Sequence, residues 1–100
     1  MIQGTTPTHK FTLPFVTDIV QKARIIYAQC ERVIFTKETP ECECDGNTIT
    51  VKLTQEDTLS LNARRDVQIQ VKVLTNDGST FVSAIKTVNI DKCLDREVLE

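Results

Sequence analysis

Apolar side chains recur at every second position through most of this chain, and the alternating segments are rich in Val, Ile and Thr. That is the pattern of half-buried β-strands. The first segment, residues 8–13, puts Phe11 and Leu13 on one face before Pro14 stops the ladder, and reads as an edge or terminal strand. Residues 22–29 carry Ala23, Ile25 and Tyr27 on one face and Arg24, Ile26 and Ala28 on the other. Apolar content on both faces marks a central strand. Cys30-Glu31 turns the chain into residues 32–37, where strict alternation expects Val33 and Phe35 to share a face. Pro40 bars a central ladder, after which Glu41-Cys42-Glu43-Cys44 alternates up to the tight-turn pair Asp45-Gly46. Residues 47–53 then direct Ile49, Val51 and Leu53 inward.

Thr54-Gln55-Glu56-Asp57 has the form of a helix start, with Thr54 able to cap and two carboxylates favourable near the positive end of a short helix. One helical turn is expected near residues 55–59, with Leu59 and Leu61 plugging the end of the core. Residues 66–74 place Val67, Ile69, Val71 and Val73 on one face and Gln68, Gln70 and Lys72 on the other. Asn76-Asp77-Gly78-Ser79 supplies a hairpin turn into a seventh strand from Thr80. That strand is irregular: Val82, Ala84, Val88 and Ile90 share one parity, while Phe81 and Ile85 hold the other. A bulge near Ala84 to Lys86 would reconcile them. Residues 91–100 read as a C-terminal tail. The expectation is therefore all-β: one domain over residues 1–100, an antiparallel two-sheet sandwich of immunoglobulin-like architecture with about seven strands, a small barrel being the alternative.

Charge and composition narrow the chemistry. Twelve Lys plus Arg against fourteen Asp plus Glu give a net charge of −2, which offers no footprint for a polyanion. Nucleic acid and membrane are not expected as partners. The first residues lack a basic stretch followed by an apolar one, and no run approaches the roughly 18 apolar residues of a membrane span. Without a secretory signal, Cys30, Cys42, Cys44 and Cys93 are expected as free thiols. Cys42-Glu43-Cys44 has one residue between its sulfurs, short of structural zinc spacing, and reads as two small side chains on one strand face.

No catalytic, cofactor or metal residues are assigned. His9 is the only histidine and has no triad in the sequence around it; it reads as a strand residue. Gly4, Gly46 and Gly78 are isolated, so no glycine-rich loop cradles phosphate. Glu41/Glu43 and Glu56/Asp57 flank turns, where solvated charge is the common reading. Arg64-Arg65 is too small a basic patch, Asn76-Asp77-Gly78 lacks the ligands of a calcium loop, and Gln68 and Gln70 read as an ordinary solvated strand face.

Three stretches taken together carry a resemblance: Ile2-Gln3-Gly4-Thr5-Thr6-Pro7-Thr8 with Phe11-Thr12-Leu13-Pro14, residues 45–59 from Asp45-Gly46-Asn47 to Thr58-Leu59, and Val67-Gln68-Ile69-Gln70-Val71-Lys72-Val73-Leu74. The chain resembles small structural proteins of tailed phages and prophages of Gram-positive bacteria. More loosely, it is similar to the N-terminal β-sandwich of phage baseplate upper proteins. The resemblance implies a non-enzymatic building block of a neck, tail or baseplate, assembled in the bacterial host cytoplasm and carried in the virion. Its expected partners are other phage structural proteins, or further copies of itself in a homo-oligomer. A small prophage- or host-encoded binding module, an adaptor or inhibitor, is the alternative. Terminal segments bearing Ile2, Leu94, Val98 and Leu99 are the expected contact points.

Overall fold

The computed structural model describes residues 1–99 and shows a two-sheet antiparallel β-sandwich. Its strands are β1 (Thr8–Thr12), β2 (Val20–Gln29), β3 (Arg32–Glu38), β4 (Cys42–Asp45), β5 (Thr48–Lys52), β6 (Val67–Thr75), β7 (Thr80–Val82) and β8 (Lys86–Val88), with a single helical turn α1 (Gln55–Leu59). One sheet has the order β1-β5-β4; the other runs β3-β2-β6, with β7 and β8 both paired to the far edge of β6. Taken as strands B-E-D facing C′-C-F-G, this is the immunoglobulin-like order. A parallel bridge between Ile2 and Asp91 lays the N-terminal segment beside the end of the chain.

Alternation builds the core as expected. Ile49, Val51 and Leu53 from one layer meet Ala23, Ile25, Tyr27, Val67, Ile69, Val71 and Val73 from the other. β2 is central, flanked by β3 and β6. Leu59 and Leu61 are buried beside the helical turn, whose N-terminus is closed by a reciprocal capping box: Thr54 Oγ1 accepts from Asp57 N–H and the Asp57 carboxylate accepts from Thr54 N–H. The β4–β5 hairpin turns through Gly46 at φ +58°, a left-handed conformation that glycine takes without steric cost. The β2–β3 hairpin turns through Cys30 and Glu31 at φ +52° and +63°, the geometry of a type I′ turn built without glycine.

Two departures from strict alternation matter. Tyr27 pairs with Phe35 but Ala28 pairs with Val33, so Ile34 is an extra residue in β3. Val33 and Phe35 therefore lie on opposite faces, against expectation, and Val33 stands on the outer surface at 57% exposure. The second departure is the bulge expected near residues 84–86. It lies at Ser83–Ile85 and splits the seventh strand in two, which makes eight strands instead of about seven. Ser83 anchors it: Ser83 N–H donates to Val71 O and Ser83 Oγ accepts from Val71 N–H, both at 2.9 Å. Downstream of it Val88 turns inward opposite Val67, and Ile85 turns outward at 55% exposure.

The C-terminal tail packs on its own domain over residues 91–99, and Glu100 lies outside the described residues. Gln3 is buried, donates to Leu61 O at 2.6 Å, and accepts from Cys93 N–H at 3.2 Å. Arg96 donates to Leu59 O at 2.8 Å, covering a carbonyl at the end of α1, and Leu99 exchanges two hydrogen bonds with the Gln55 side chain.

Candidate functional site

Inside the sandwich, the sheet register aligns His9, Val51 and Cys42 in one row, and the opposite layer brings Tyr27 and Phe35 against it. Tyr27 is fully buried, stacks on Phe35 at 4.7 Å between centroids and on His9 at 5.7 Å, and its hydroxyl lies 2.6 Å from His9 Nδ1. Burial lowers the His9 pKa, and the N-terminal ammonium and Lys86 lower it further. Burial raises that of Tyr27, with Cys42 and Asp57 adding to the effect. Both groups are thus held neutral, joined by a hydrogen bond between the phenol oxygen and Nδ1. His9 is a half-buried strand residue serving a tyrosine.

A second polar group sits at the β3/β4 side. The Lys37 side chain is 11% exposed; its Nζ lies 2.7 Å from Asp57 Oδ2 and 3.3 Å from Glu41 Oε2. Lys37 belongs to one layer and Asp57 to the helical turn that follows the other, so the pair ties the two together. Burial opposes the charge on each. Hydrogen bonds and charge from Asp57 and Glu41 outweigh it and raise the Lys37 pKa; Lys37 and Thr54 likewise outweigh it and lower that of Asp57. Of the carboxylates expected as solvated, Glu56 and Glu43 are exposed, but Asp57 is a half-buried ion-pair partner and Glu41 reaches back to Lys37. Next to them the Cys42 thiol is pushed up to about 11, first by burial and then by Cys44, Glu41 and Glu38.

The outer face of the five-stranded sheet is built differently. Ile26 and Ala28 form its floor with the side chains of Gln68 and Gln70, and Val33 and Ile85 rise as walls on either side of a trough of about 200 Å³. The glutamines are half-buried and bonded in place: Gln68 Oε1 accepts from Glu31 N–H at 2.8 Å, and Gln70 Nε2 donates to Ser83 O at 2.9 Å. They are framework, not a loose solvated face. Toward one end the same surface carries Lys22, Arg24 and Lys72, with Glu38 paired to Arg24 at 2.7 Å. Toward the other it carries Glu31, and the exposed Asp66 stands at that end, one residue before β6.

The remaining sequence candidates are scattered. Cys30 and Cys44 are exposed free thiols, and Cys42 and Cys93 are half-buried ones. Among the described residues, no group of three or more His, Cys, Asp or Glu side chains is placed to hold a metal ion, and no helix is long and apolar enough to cross a membrane. Arg64 and Arg65 are exposed in a loop held from the inner side by Gln29, whose amide donates to Asn62 O and Arg65 O. Asp77 binds within its own turn, accepting from Ser79 N–H at 3.0 Å. At the termini, Leu94 is 93% exposed, and Ile2 and Leu99 are also exposed.

Compared with known protein families, with curated proteins and with solved structures, the chain matches none.

Proposed function

We propose that this chain is a non-enzymatic structural or assembly component of a phage, set in a neck, tail or baseplate and acting through protein–protein contacts. In this reading it is made in the bacterial host cytoplasm and carried in the virion, and its partners are other phage structural proteins. The observation that carries the contact role is the outer face of the five-stranded sheet, where Val33 and Ile85 stand more than half exposed above Ile26 and Ala28. Fully burying a side chain of this size gains about 1.5–3 kcal/mol, so a face holding several of them is a binding resource. The polar interior supports the non-enzymatic half: His9 is occupied by Tyr27, and Lys37 by Asp57 and Glu41. The phage assignment rests on the resemblance of the three sequence stretches.

Mass spectrometry of virions purified from an induced lysogen tests the proposal, with the chain expected at a fixed copy ratio to the tail proteins. Its absence from the particle would end the structural reading. Recovery of a host enzyme or receptor with the tagged chain, in place of tail proteins, would favour the adaptor or inhibitor alternative.

A further inference from the structure

We infer that the outer face of the five-stranded sheet is a self-association surface: two copies pack these faces together about a two-fold axis lying between the sheets and across the strands. The inference rests on the contact role proposed for this face and names its occupant; the virion experiment tests the phage assignment separately, because a dimer in solution is read without the particle.

Three features of the face point to a second copy as the occupant. The first is charge. Lys22 and Lys72, with Arg24 and its partner Glu38, make one end basic, and Glu31 and Asp66 make the other acidic. The loop that carries Arg64 and Arg65 is held through its backbone, the Asn62 and Arg65 carbonyls accepting from the buried Gln29 amide. Lys22 lies four residues before Ile26 in β2, and Asp66 four before Gln70, just ahead of the start of β6, while Ile26 and Gln70 pair across the antiparallel strands. The two charged positions are therefore equidistant from the middle of the face, on opposite sides of it. An axis across the strands at the Ile26–Gln70 row lays the basic end of each copy over the acidic end of the other, which makes the surface self-complementary. An axis along the strands would set like charges together.

Area is the second feature. Four strand lanes at about 4.8 Å by some nine residues at about 3.3 Å give a flat face of roughly 600 Å² per copy, or about 1,200 Å² in total, which clears the size of a specific interface. The third is construction. Both walls of the trough, Val33 and Ile85, owe their outward position to a β-bulge, and the crossed arrangement sets Ile26 against Ile26 at the centre of an apolar strip.

Sedimentation equilibrium or light scattering over a concentration series of the full chain is the test. The mass is expected to rise from 11.3 kDa toward twice that value. Val33→Asp combined with Ile85→Asp, both at exposed positions, should keep the circular-dichroism spectrum and weaken dimerisation by at least about 100-fold. Lys22→Glu and Asp66→Lys should each weaken it by about tenfold, and the two together should restore it, since each then meets its complement on the partner copy. A chain that stays monomeric throughout would overturn the inference. So would a dimer indifferent to the Val33/Ile85 change, or a charge-swapped pair that fails to recover.

Discussion

Replacing Asp57 tests whether the ion pair inside the sandwich holds the two layers together. Asp57→Ala removes the carboxylate 2.7 Å from Lys37 Nζ and the acceptor for Thr54 N–H in one step. Breaking a buried ion pair from one side costs about 3–5 kcal/mol, because the remaining charge is left without compensation. Glu41 stays 3.3 Å from Lys37, but its side chain is 49% exposed, so it recovers only part of that loss. The lost cap adds about 1 kcal/mol. The expected total is about 3–4 kcal/mol, a large share of the roughly 5–15 kcal/mol that holds a domain of this size. Asp57→Asn keeps an oxygen for Thr54 and isolates the charge, at about 2–3 kcal/mol. Lys37→Met leaves Asp57 with Thr54 and partial solvent access, and should cost only about 1 kcal/mol.

The double variant Lys37→Met/Asp57→Asn should be scarcely worse than Lys37→Met, giving a coupling energy of about 2 kcal/mol. Urea unfolding followed by far-ultraviolet circular dichroism measures the parent chain and the four variants, with fluorescence of Tyr27, the one tyrosine in a chain without tryptophan, as a second probe. Additivity within about 0.5 kcal/mol would refute the argument. The pair also fixes a pH window. The lowered pKa of Asp57 means its contribution is present above the ordinary value of 3.8 and is lost as acid takes the pH through the folded value below it. The raised pKa of Lys37 means its contribution is present below 10.5 and is lost only as the pH climbs through a still higher folded value.

His9 titrates with the opposite consequence for a cation: its folded pKa lies below 6.5, so the unfolded chain binds the proton first and stability falls as the pH drops from 6.5 toward the folded value. Urea midpoints across that range should show the decline, and His9→Gln should flatten it. Gln3→Ala strands the Leu61 carbonyl and the Cys93 N–H, and is expected to cost about 2–3 kcal/mol and to speed hydrogen exchange in residues 91–99. Glu31→Gly relieves a left-handed residue at φ +63° and should raise stability by about 1 kcal/mol by chemical denaturation. With its pKa pushed up to about 11 and its sulfur half-buried, Cys42 should react with iodoacetamide far more slowly at pH 8 than the exposed Cys30 and Cys44, as peptide mapping will report.

The parts of the fold fixed by local rules were legible in the residues. The inward sets Ile49/Val51/Leu53 and Val67/Ile69/Val71/Val73 follow from a period of two, and the Thr54 cap from its position before Gln55-Glu56-Asp57. The parts fixed by long-range contact were not. Nothing near Lys37 in the sequence says that its ammonium turns inward, because its main partner, Asp57, is twenty positions away and belongs to the far layer. Nothing local in the sequence marks Gln3 and Gln29 for burial, yet each is buried because a loop remote in sequence supplies carbonyls for its amide. The His9–Tyr27 pair was hidden for the same reason, since β1 and β2 lie in different sheets.

The two departures from alternation, one missed in the sequence and one expected from it, also build the candidate surface. Without the extra residue in β3, Val33 would keep the parity of Phe35 and face the core, and without the extra residue after Val82, Ile85 would keep the parity of Phe81 and do the same. Each bulge carries a β-branched apolar side chain from the buried face to the exposed one. The second also brings Val88 inward opposite Val67, so the core keeps its packing while the surface gains a wall. A bulge placed only to ease twist would have no reason to spend an Ile or a Val at the exposed position, since a polar residue there would cost nothing in the core. Two such bulges, on opposite edges of one sheet and flanking one trough, tie the irregularity of the strands to what the outer face does.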